Sequence, residues 1–334
     1  MAFGAAFILS GVLTPLMRVV AIKLSVLDRP STAIKTHKQP VPYLGGVAIF
    51  LAVVTTLLIL KFTTDFPTGT LHSLRGILIG ASFMVIVGMF DDITNGGISF
   101  KWKFLLQVIG AILLISFDIR IKFIKPEWLS WVVTIVWVVG ITNAFNLIDI
   151  MDGLASSQAF IACLGFLFVS IPTEAVYVNL AAAAVAGATL AFIPFNMSTN
   201  LKIFMGDAGS LALGFFMAAL SLGTSYTTVN EIGLFAPFLI LGLPLYDTVF
   251  VSSLRIHQGK SPFLGSKDHL ALKLITLGLS KRRVVFVMGM AGFLFSCLAG
   301  LITSMPFIVS LSLLVVAFAV GVYVVIELEK VKVL

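Results

Sequence analysis

The sequence predicts an all-α protein that crosses a membrane many times, as a single integral-membrane domain over residues 1–334. Of its 334 residues, 59% are hydrophobic and only 11% are charged, whereas about 25% are charged in ordinary soluble domains. The apolar runs are long and lack the alternation of polar and apolar residues found in transmembrane β-barrels. This composition excludes a soluble enzyme, a disordered chain and a nucleic-acid-binding domain, and it requires helices that are solvated by lipid.

Eleven apolar runs between charged residues are candidate spans, although the fourth and eighth are short. They cover residues 2–22, 44–61, 73–90, 103–117, 128–147, 155–172, 176–195, 209–223, 233–254, 284–303 and 306–326. The first run has no basic n-region and no cleavage motif, so we expect a span there and not a removed signal. No internal repeat is visible, which argues against a transporter built from paired halves.

The positively charged residues predict how these spans are oriented. The net charge is +7, and 16 of the 22 lysines and arginines lie in the C-terminal tail or in the loops after odd-numbered spans. The loops after the second and fourth spans hold five, and Arg18 lies in the first span. Because cytoplasmic loops carry an excess of Lys and Arg, we expect the N-terminus outside and the odd-numbered loops and C-terminus in the cytoplasm.

Most aspartates lie on the same predicted cytoplasmic face. Eight of the ten are in or beside the odd-numbered loops, namely Asp28, Asp91, Asp92, Asp149, Asp152, Asp207, Asp247 and Asp268. Acidic residues do not set topology, so this clustering needs another cause. Carboxylates grouped beside cations at one membrane face predict a site that holds a metal ion together with an anion.

Two acidic motifs offer candidate site residues. Asp91 and Asp92 stand together at the end of the third span, where two like charges recruit a cation or raise the pKa of one carboxyl. The pair could supply a general base and a metal-proximal carboxylate, and Lys103 follows in the next span. A solvated helix end is the plainer alternative.

The second motif is a run of polar residues at every third position: Asn143, Asn146, Asp149 and Asp152. On a helix end or a 3₁₀-like turn this spacing presents all four on one face. Their amide and carboxylate oxygens suit Mg²⁺. The alternative is an amphipathic exit turn that ends at Gly153.

Further candidates lie in other loops of the predicted cytoplasmic face. Asp207, among small residues before the eighth span, could cap that helix, ligate a metal or do both. Residues 255–283 carry seven cations, which could clamp phosphates or simply reflect the positive-inside bias. Lys267 and His269 lie in this stretch, and Lys38 in the first loop is another candidate phosphate cation.

Five segments, taken in order, resemble the polyprenyl-phosphate N-acetylhexosamine-1-phosphate transferases of the WecA, TagO and MraY type. They are D-R-P…K-T-H-K-Q-P-V-P-Y-L-G-G, G-M-F-D-D with K-x-x-x-Q, N-A-F-N-L-I-D-I-M-D-G, F-M-G-D-A-G-S and P-L-Y-D-T…R…S-P-F…K-D-H. Together they span residues 28–269, and all fall on one predicted face.

The resemblance implies a multi-pass enzyme of the bacterial inner membrane. Such an enzyme transfers N-acetylhexosamine-1-phosphate, most often GlcNAc-1-phosphate, from a UDP-sugar to undecaprenyl phosphate, releases UMP and requires Mg²⁺, with Mn²⁺ as a substitute. The product would serve the synthesis of a cell-envelope polysaccharide such as teichoic acid or lipopolysaccharide. Its partners would be the UDP-sugar, the polyprenyl phosphate and membrane lipid, with a homodimer left open and no nucleic acid.

Carried over motif by motif, the resemblance implies roles for these residues. Asp91 would act as the base toward the lipid phosphate or hold it in place, and Asp92 and Asp149 would be the neighbouring catalytic carboxylates. Asn146 and Asp207 would contact Mg²⁺ and the pyrophosphate. The substrate-binding residues would be Lys38, Lys103, Asn143, Asp152, Lys267 and His269, with Asp152 at the uracil and the His269 region at the sugar.

The sequence departs from the family at one point. Only His269 remains where the MraY branch has three histidines in a row and the WecA and TagO branch usually has H-x-H-H or H-x-x-H. The departure argues against a muramoyl-pentapeptide donor and favours a UDP-GlcNAc-type donor. An MraY-type transferase stays an alternative, as do, from other classes, a membrane transporter or channel and a scaffold with a degenerate site.

Overall fold

The computed structural model describes residues 1–28, 40–94, 96–261 and 266–331. Thirteen α-helices lie in these ranges: α1 Ala2–Lys23, α2 Gly45–Thr63, α3 Thr70–Ile93, α4 Phe100–Ser116, α5 Glu127–Ile148, α6 Leu154–Ser170, α7 Val176–Asn196, α8 Gly206–Gly223, α9 Ala236–Ile240, α10 Gly242–His257, α11 Leu270–Thr276, α12 Lys281–Ser304 and α13 Phe307–Glu329. A 3₁₀ helix, Glu231–Phe235, precedes α9. Two short strands, β1 Leu27–Asp28 and β2 Val41–Pro42, pair antiparallel.

Eight of the described helices are long and apolar enough to cross a membrane: α1, α2, α3, α5, α7, α8, α12 and α13. The count is nine when the bent unit of α9 and α10 is taken as one span, and α6 is a shorter apolar helix. The prediction of an all-α, multi-pass membrane protein is therefore confirmed. The total of eleven spans and their orientation stay predictions.

The ninth predicted span, residues 233–254, is wrong as a single straight helix. The chain bends by 73° between the segments Glu231–Ile240 and Gly242–His257. Pro244 causes part of this break, because it has no amide to donate and its ring clashes with the carbonyl four residues earlier. Gly242 also lets the ring of Phe295 approach closely, within 3.2 Å of where a Cβ would lie.

Helix α8 lies at the centre of the bundle. Of the residues in its apolar span 78% are buried, against 6% in α13, so α8 is surrounded by protein while α13 faces outward. Glycines let its neighbours approach: a Cβ on Gly80 of α3 would overlap the Phe215 ring, and one on Gly214 would press against the backbone of Thr142 in α5. The middle of α8 therefore packs closely against both α3 and α5.

Candidate active site

The start of α8 is fixed by backbone contacts with the residues that open α2. The amides of Gly45 and Gly46 donate to the carbonyls of Phe204 (3.0 Å) and Met205 (2.9 Å). A Cβ on Gly46 would overlap the backbone of Gly209. The glycine pair of the first loop motif is thus required because two main chains pass each other here with no room for a side chain.

Asp92 ties the end of α3 to the start of α8. Its two carboxylate oxygens accept hydrogen bonds from the amides of Asp207 (2.8 Å) and Ala208 (3.1 Å). The first amides of a helix have no partner within the helix and carry partial positive charge, so this carboxylate caps α8 from another helix. Gly88, one turn earlier, lets α3 reach that backbone, since a Cβ there would overlap Ala208.

Asp91 points away from Asp92, as adjacent positions on a helix require. Its Oδ2 lies 2.7 Å from Nζ of Lys103, and the same ammonium lies 2.6 Å from Oδ2 of Asp207. Its Oδ1 accepts the amide of Ile98 at 2.5 Å. One lysine therefore bridges two carboxylates, and Asp91, Lys103 and Asp207 form what we call the open cluster.

The two predicted asparagines take different positions beside this cluster. Asn146 donates from Nδ2 to Oγ of Ser210 at 2.9 Å and also hydrogen-bonds to the carboxylate of Asp207. Asn143 pairs its amide with that of Gln107, which is buried, and donates to the carbonyl of Val139 at 2.8 Å. Asn146 is thus part of the site, whereas Asn143 packs α5 against α4.

Asp149 follows the last residue of α5. Burial raises the pKa of its carboxyl well above its usual range, and the negative charges of Asp207, Asp152 and Asp92 raise it further. A carboxyl in this position ionises more readily when a cation is near. Asp149 therefore lies in a buried position close to three other carboxylates.

Asp152 is paired with a lysine that the sequence did not single out. Its Oδ2 lies 2.6 Å from Nζ of Lys202, in the loop between α7 and α8. Arg18 of α1 donates to the carbonyls of Lys202 (3.2 Å) and Asn200 (3.3 Å). Two signals could have pointed here: an arginine inside an apolar run, and a lysine just before the F-M-G-D motif.

His269 forms a second centre with Asp247 of α10. Nδ1 of His269 lies 2.7 Å from Oδ2 of Asp247, and the amide of Leu270 donates to its Oδ1 at 2.7 Å. Both side chains are buried, and we call them the closed pair. Lys267 is exposed and lines a cavity of about 600 Å³ with Arg255, among others. Lys38 lies outside the described residues.

The oxygens of Asp207, in the open cluster, and of the neighbouring Asn146 fit a magnesium ion. Within the described ranges no group of three or more His, Cys, Asp or Glu side chains is arranged to hold a metal by itself. Mg²⁺ is often held by only one or two carboxylates, with substrate phosphates completing its shell. Asp207 and Asn146 supply oxygens of this kind, and the ammonium of Lys103 already lies between two carboxylates. The oxygens of Asp207 and Asn146 therefore fit an ion whose coordination shell is completed by substrate phosphates.

Comparison with known proteins connects this geometry to a family. Residues 74–225, from α3 to just beyond α8, match the family described as glycosyl transferase family 4. A protein of Bacillus subtilis (strain 168), named probable undecaprenyl-phosphate N-acetylglucosaminyl 1-phosphate transferase, is 34% identical over 294 residues, which cover 85% of this chain and 79% of the relative.

Two further relatives carry related names. The decaprenyl-phosphate N-acetylglucosaminephosphotransferase of Mycobacterium tuberculosis (strain ATCC 25618 / H37Rv) is 27% identical, over 81% of this chain and 74% of the relative. A phospho-N-acetylmuramoyl-pentapeptide-transferase of Streptococcus equi subsp. zooepidemicus (strain H70) is 35% identical, but over only 57% of this chain and 62% of the relative.

Proposed function

The chain belongs to glycosyl transferase family 4, and from that membership we propose that it transfers N-acetylglucosamine-1-phosphate from a UDP-sugar to undecaprenyl phosphate. The products are UMP and a polyprenyl-diphosphate-linked sugar. The observation that carries the proposal is the Lys103 ammonium, held 2.7 Å from Asp91 and 2.6 Å from Asp207 at the N-terminus of a buried helix. Such an arrangement is suited to binding phosphates.

In the proposed reaction, an oxygen of the lipid phosphate attacks the β-phosphorus of the UDP-sugar. The bond from that phosphorus to the bridging oxygen breaks, and its electron pair leaves with UMP. Phosphoryl transfer depends mainly on alignment and on neutralising charge. Lys103 donates to the phosphate oxygens, and Asp91 holds the acceptor phosphate or removes its remaining proton. Asp92 keeps the backbone of Asp207 in place.

Magnesium is the proposed cofactor, with Mn²⁺ as a substitute, and Asp207 and Asn146 are the residues that would hold it. When bound, the ion would neutralise charge on the pyrophosphate. The catalytic role of Asp149 and the substrate-binding roles of Lys38, Lys103, Asp152 and Lys267 are proposals on the same footing. For Asn143 and His269, which the resemblance assigns to the substrate, we propose a supporting role through their contacts with Gln107 and Asp247.

The proposed topology is that predicted from the charges: eleven spans in the bacterial inner membrane, the N-terminus outside and the site in the cytoplasm. It is supported by the positions of the site residues. They lie at the ends of α3 and α5, at the starts of α4 and α8, and in the loop after α7, so the helices alternate in direction around one face. A site on the cytoplasmic side has access to the UDP-sugar, which is available on that side of the membrane.

GlcNAc is the proposed sugar, because the relative with that donor in its name covers far more of the chain than the pentapeptide transferase does. The product would enter the synthesis of a cell-envelope polysaccharide, such as teichoic acid or lipopolysaccharide. Phospho-MurNAc-pentapeptide transfer is the second candidate, and it rests on the similarity over 57% of the chain. A homodimer stays open and would be tested by the mass of the purified protein.

The test is an assay of purified protein in detergent with UDP-GlcNAc, Mg²⁺ and undecaprenyl phosphate. We expect UMP to be released only when all three are present, and we expect chelation by EDTA to stop it. A panel of UDP-GlcNAc, UDP-GalNAc and UDP-MurNAc-pentapeptide, with mass detection of the lipid product, identifies the donor. Release of UMP without the lipid acceptor would contradict the proposal.

A further inference from the structure

Lys273 of α11 is a buried lysine that the proposed reaction does not use. Only 2% of its surface is exposed. Its ammonium donates to the carbonyls of Leu328 at 2.9 Å and Val331 at 2.7 Å, where α13 ends. It also lies over the ring of Phe250 in α10, 5.2 Å from the centroid. Lys273 is one of the seven cations of residues 255–283, but carbonyl oxygens and an aromatic ring surround its charge, so it does not clamp a phosphate.

The carbonyls that Lys273 contacts are of the kind that a helix leaves without partners. The last four carbonyls of an α-helix accept no bond within it, and the helix dipole favours a cation beside them. Helix α13 is peripheral, because only 6% of its apolar span is buried. Tyr246 of α10 also donates to it, at the carbonyl of Gly321. Lys273 thus fixes the end of a helix that has few other anchors in the bundle.

The start of α11 is fixed to α10 by the closed pair. His269 precedes the helix and contacts Asp247 at 2.7 Å, and the amide of Leu270 donates to the same carboxylate at 2.7 Å. Because α11 has only seven residues, Lys273 lies about one turn after the closed pair. The short helix is therefore held by α10 at its start and by α13 one turn later.

A compact turn joins Lys267 to α11. Oγ of Ser266 donates to Oδ2 of Asp268 at 2.7 Å and accepts the amide of Asp268 at 3.1 Å. Lys267 lies between these two residues with its side chain exposed, and His269 of the closed pair follows directly. The position of Lys267 is thus set by a continuous run of hydrogen-bonded residues that ends at Lys273.

Lys267 and the end of α13 line the same cavity of about 600 Å³. Arg255 and Asp268 also line it, as does Val331, whose carbonyl accepts from Lys273. Sites for small ligands usually have volumes of about 300–1,000 Å³, so the cavity is large enough for part of a substrate. The contact between Lys273 and Val331 therefore belongs to the wall of a space that Lys267 faces.

We propose that Lys273 is a positioning residue for the binding of the UDP-sugar, a role that rests on the proposed function. By joining α11 to the end of α13, it holds the turn at Ser266 and Asp268 where Lys267 donates to a phosphate of the substrate. A lysine on an unfixed turn would have to be ordered when the substrate binds, and that ordering weakens binding. Lys273 thus raises affinity through Lys267 without touching the substrate.

The test is a double-mutant cycle of Lys267 and Lys273 in the full-length protein. KM and kcat for UDP-GlcNAc are measured with undecaprenyl phosphate saturating, and binding of UDP-GlcNAc is measured by calorimetry without the lipid acceptor. Lys273→Met should raise KM about tenfold, the lower end of the range for a lost hydrogen bond to a charged group, with kcat within about twofold. The double variant should match Lys267→Met, because residues that act through one contact are not additive.

Three variants control for folding, with melting temperatures measured for each. Lys273→Arg keeps donors for both carbonyls and should have an affinity near that of the wild type. Lys273→Gln should lie between Lys273→Arg and Lys273→Met, and it replaces Lys273→Met in the cycle if the latter does not fold. Lys330→Met removes a lysine at the same end of α13, from the exposed pair with Glu327, and should keep the wild-type KM.

The outcomes are distinct. A wild-type KM in Lys273→Met, or a loss of affinity that adds to that of Lys267→Met, overturns the assignment, because Lys273 would then only stabilise the fold. Wild-type affinity in Lys267→Met overturns it as well, since Lys273 would have no substrate contact to act through. A wild type that releases no UMP from UDP-GlcNAc with the lipid acceptor and Mg²⁺ present contradicts the proposed function itself.

Discussion

The open cluster and the closed pair are built from similar groups but differ in their access to solvent. In the open cluster the side chains of Asp91, Lys103 and Asp207 keep 10–27% of their surface exposed. In the closed pair the side chains of Asp247 and His269 keep 1–3%. An ammonium that a phosphate can reach can exchange partners with it, whereas a sealed pair only holds its two segments together. Accessibility therefore distinguishes the open cluster, as the candidate site, from the closed pair.

The largest expected effect comes from the open cluster. Asp207→Asn should lose nearly all turnover and bind UDP-sugar weakly, because an anionic oxygen shared by Lys103 and the proposed Mg²⁺ is removed. UMP release is measured at limiting and at saturating Mg²⁺, and the melting temperature controls for folding. A wild-type rate at limiting Mg²⁺ would show that Asp207 is not a metal ligand.

Asp91→Asn should act on the rate and leave UDP-sugar binding nearly intact. We expect kcat to fall by about 10²–10⁴ if Asp91 is a general base. A phosphate monoester has a second pKa near 6, so the lipid phosphate loses its remaining proton to solvent as pH rises above that value. The variant should then recover rate toward high pH.

The pH profile decides the role of Asp91. Rates of wild type and Asp91→Asn are compared from about pH 6 to 9, with UDP-GlcNAc and undecaprenyl phosphate saturating. A loss that stays constant across this range would exclude a base and leave Asp91 as a positioning or electrostatic group. In either case the site would remain within the open cluster.

Asp247→Asn tests the closed pair and should have a smaller effect on turnover. It weakens a buried hydrogen-bonded pair, at a cost of about 1–3 kcal/mol in stability, so the apparent melting temperature in detergent should fall. The expected rate lies well above that of Asp91→Asn. If turnover falls as far as in Asp91→Asn while stability is unchanged, His269 acts on the substrate, as the sequence predicts, and the closed pair belongs to the active site.

The smallest expected effect on activity comes from cysteine variants, which are used to label the two membrane faces. In a chain with Cys163→Ala and Cys297→Ala, a cysteine at Ser266 should react with an impermeant thiol reagent only from the cytoplasmic side. One at Thr68 should react only from outside. The reverse pattern would put both the open cluster and the closed pair on the face without UDP-sugar.

Much of this arrangement could be predicted from the sequence, because helices in lipid need long apolar runs and a site for a cation and phosphates needs clustered acidic and basic residues. Long apolar runs predict the helices, and the acidic motifs predict which helix ends meet. The spacing of Asp91 and Asp92 also predicts that their side chains diverge, as they do: one faces Lys103, the other the amides of α8.

The rest depends on contacts between distant segments, which a linear pattern does not reveal. The bend in the ninth predicted span does not follow from its composition, because an apolar run indicates that a segment is solvated by lipid but not that its helix is straight. Gly242 and Pro244 lie in this run and favour a break. Nothing in the sequence around Lys202 indicates its partner, because Asp152 lies 50 residues away along the chain. Asp92 was predicted beside the metal, and nothing in its motif indicates that it caps another helix.

The glycine contacts around α8 bear on how inhibitors and resistance would develop. At Gly46 against Gly209, and at Gly88 against Ala208, main chain meets main chain with no rotatable side chain between them. A point substitution there cannot be absorbed by a neighbour that changes rotamer, so it displaces a whole helix. Gly46, Gly88, Ala208 and Gly209 are all buried, so we expect substitutions that confer resistance to an inhibitor to arise in the loops around the site and not at these contacts.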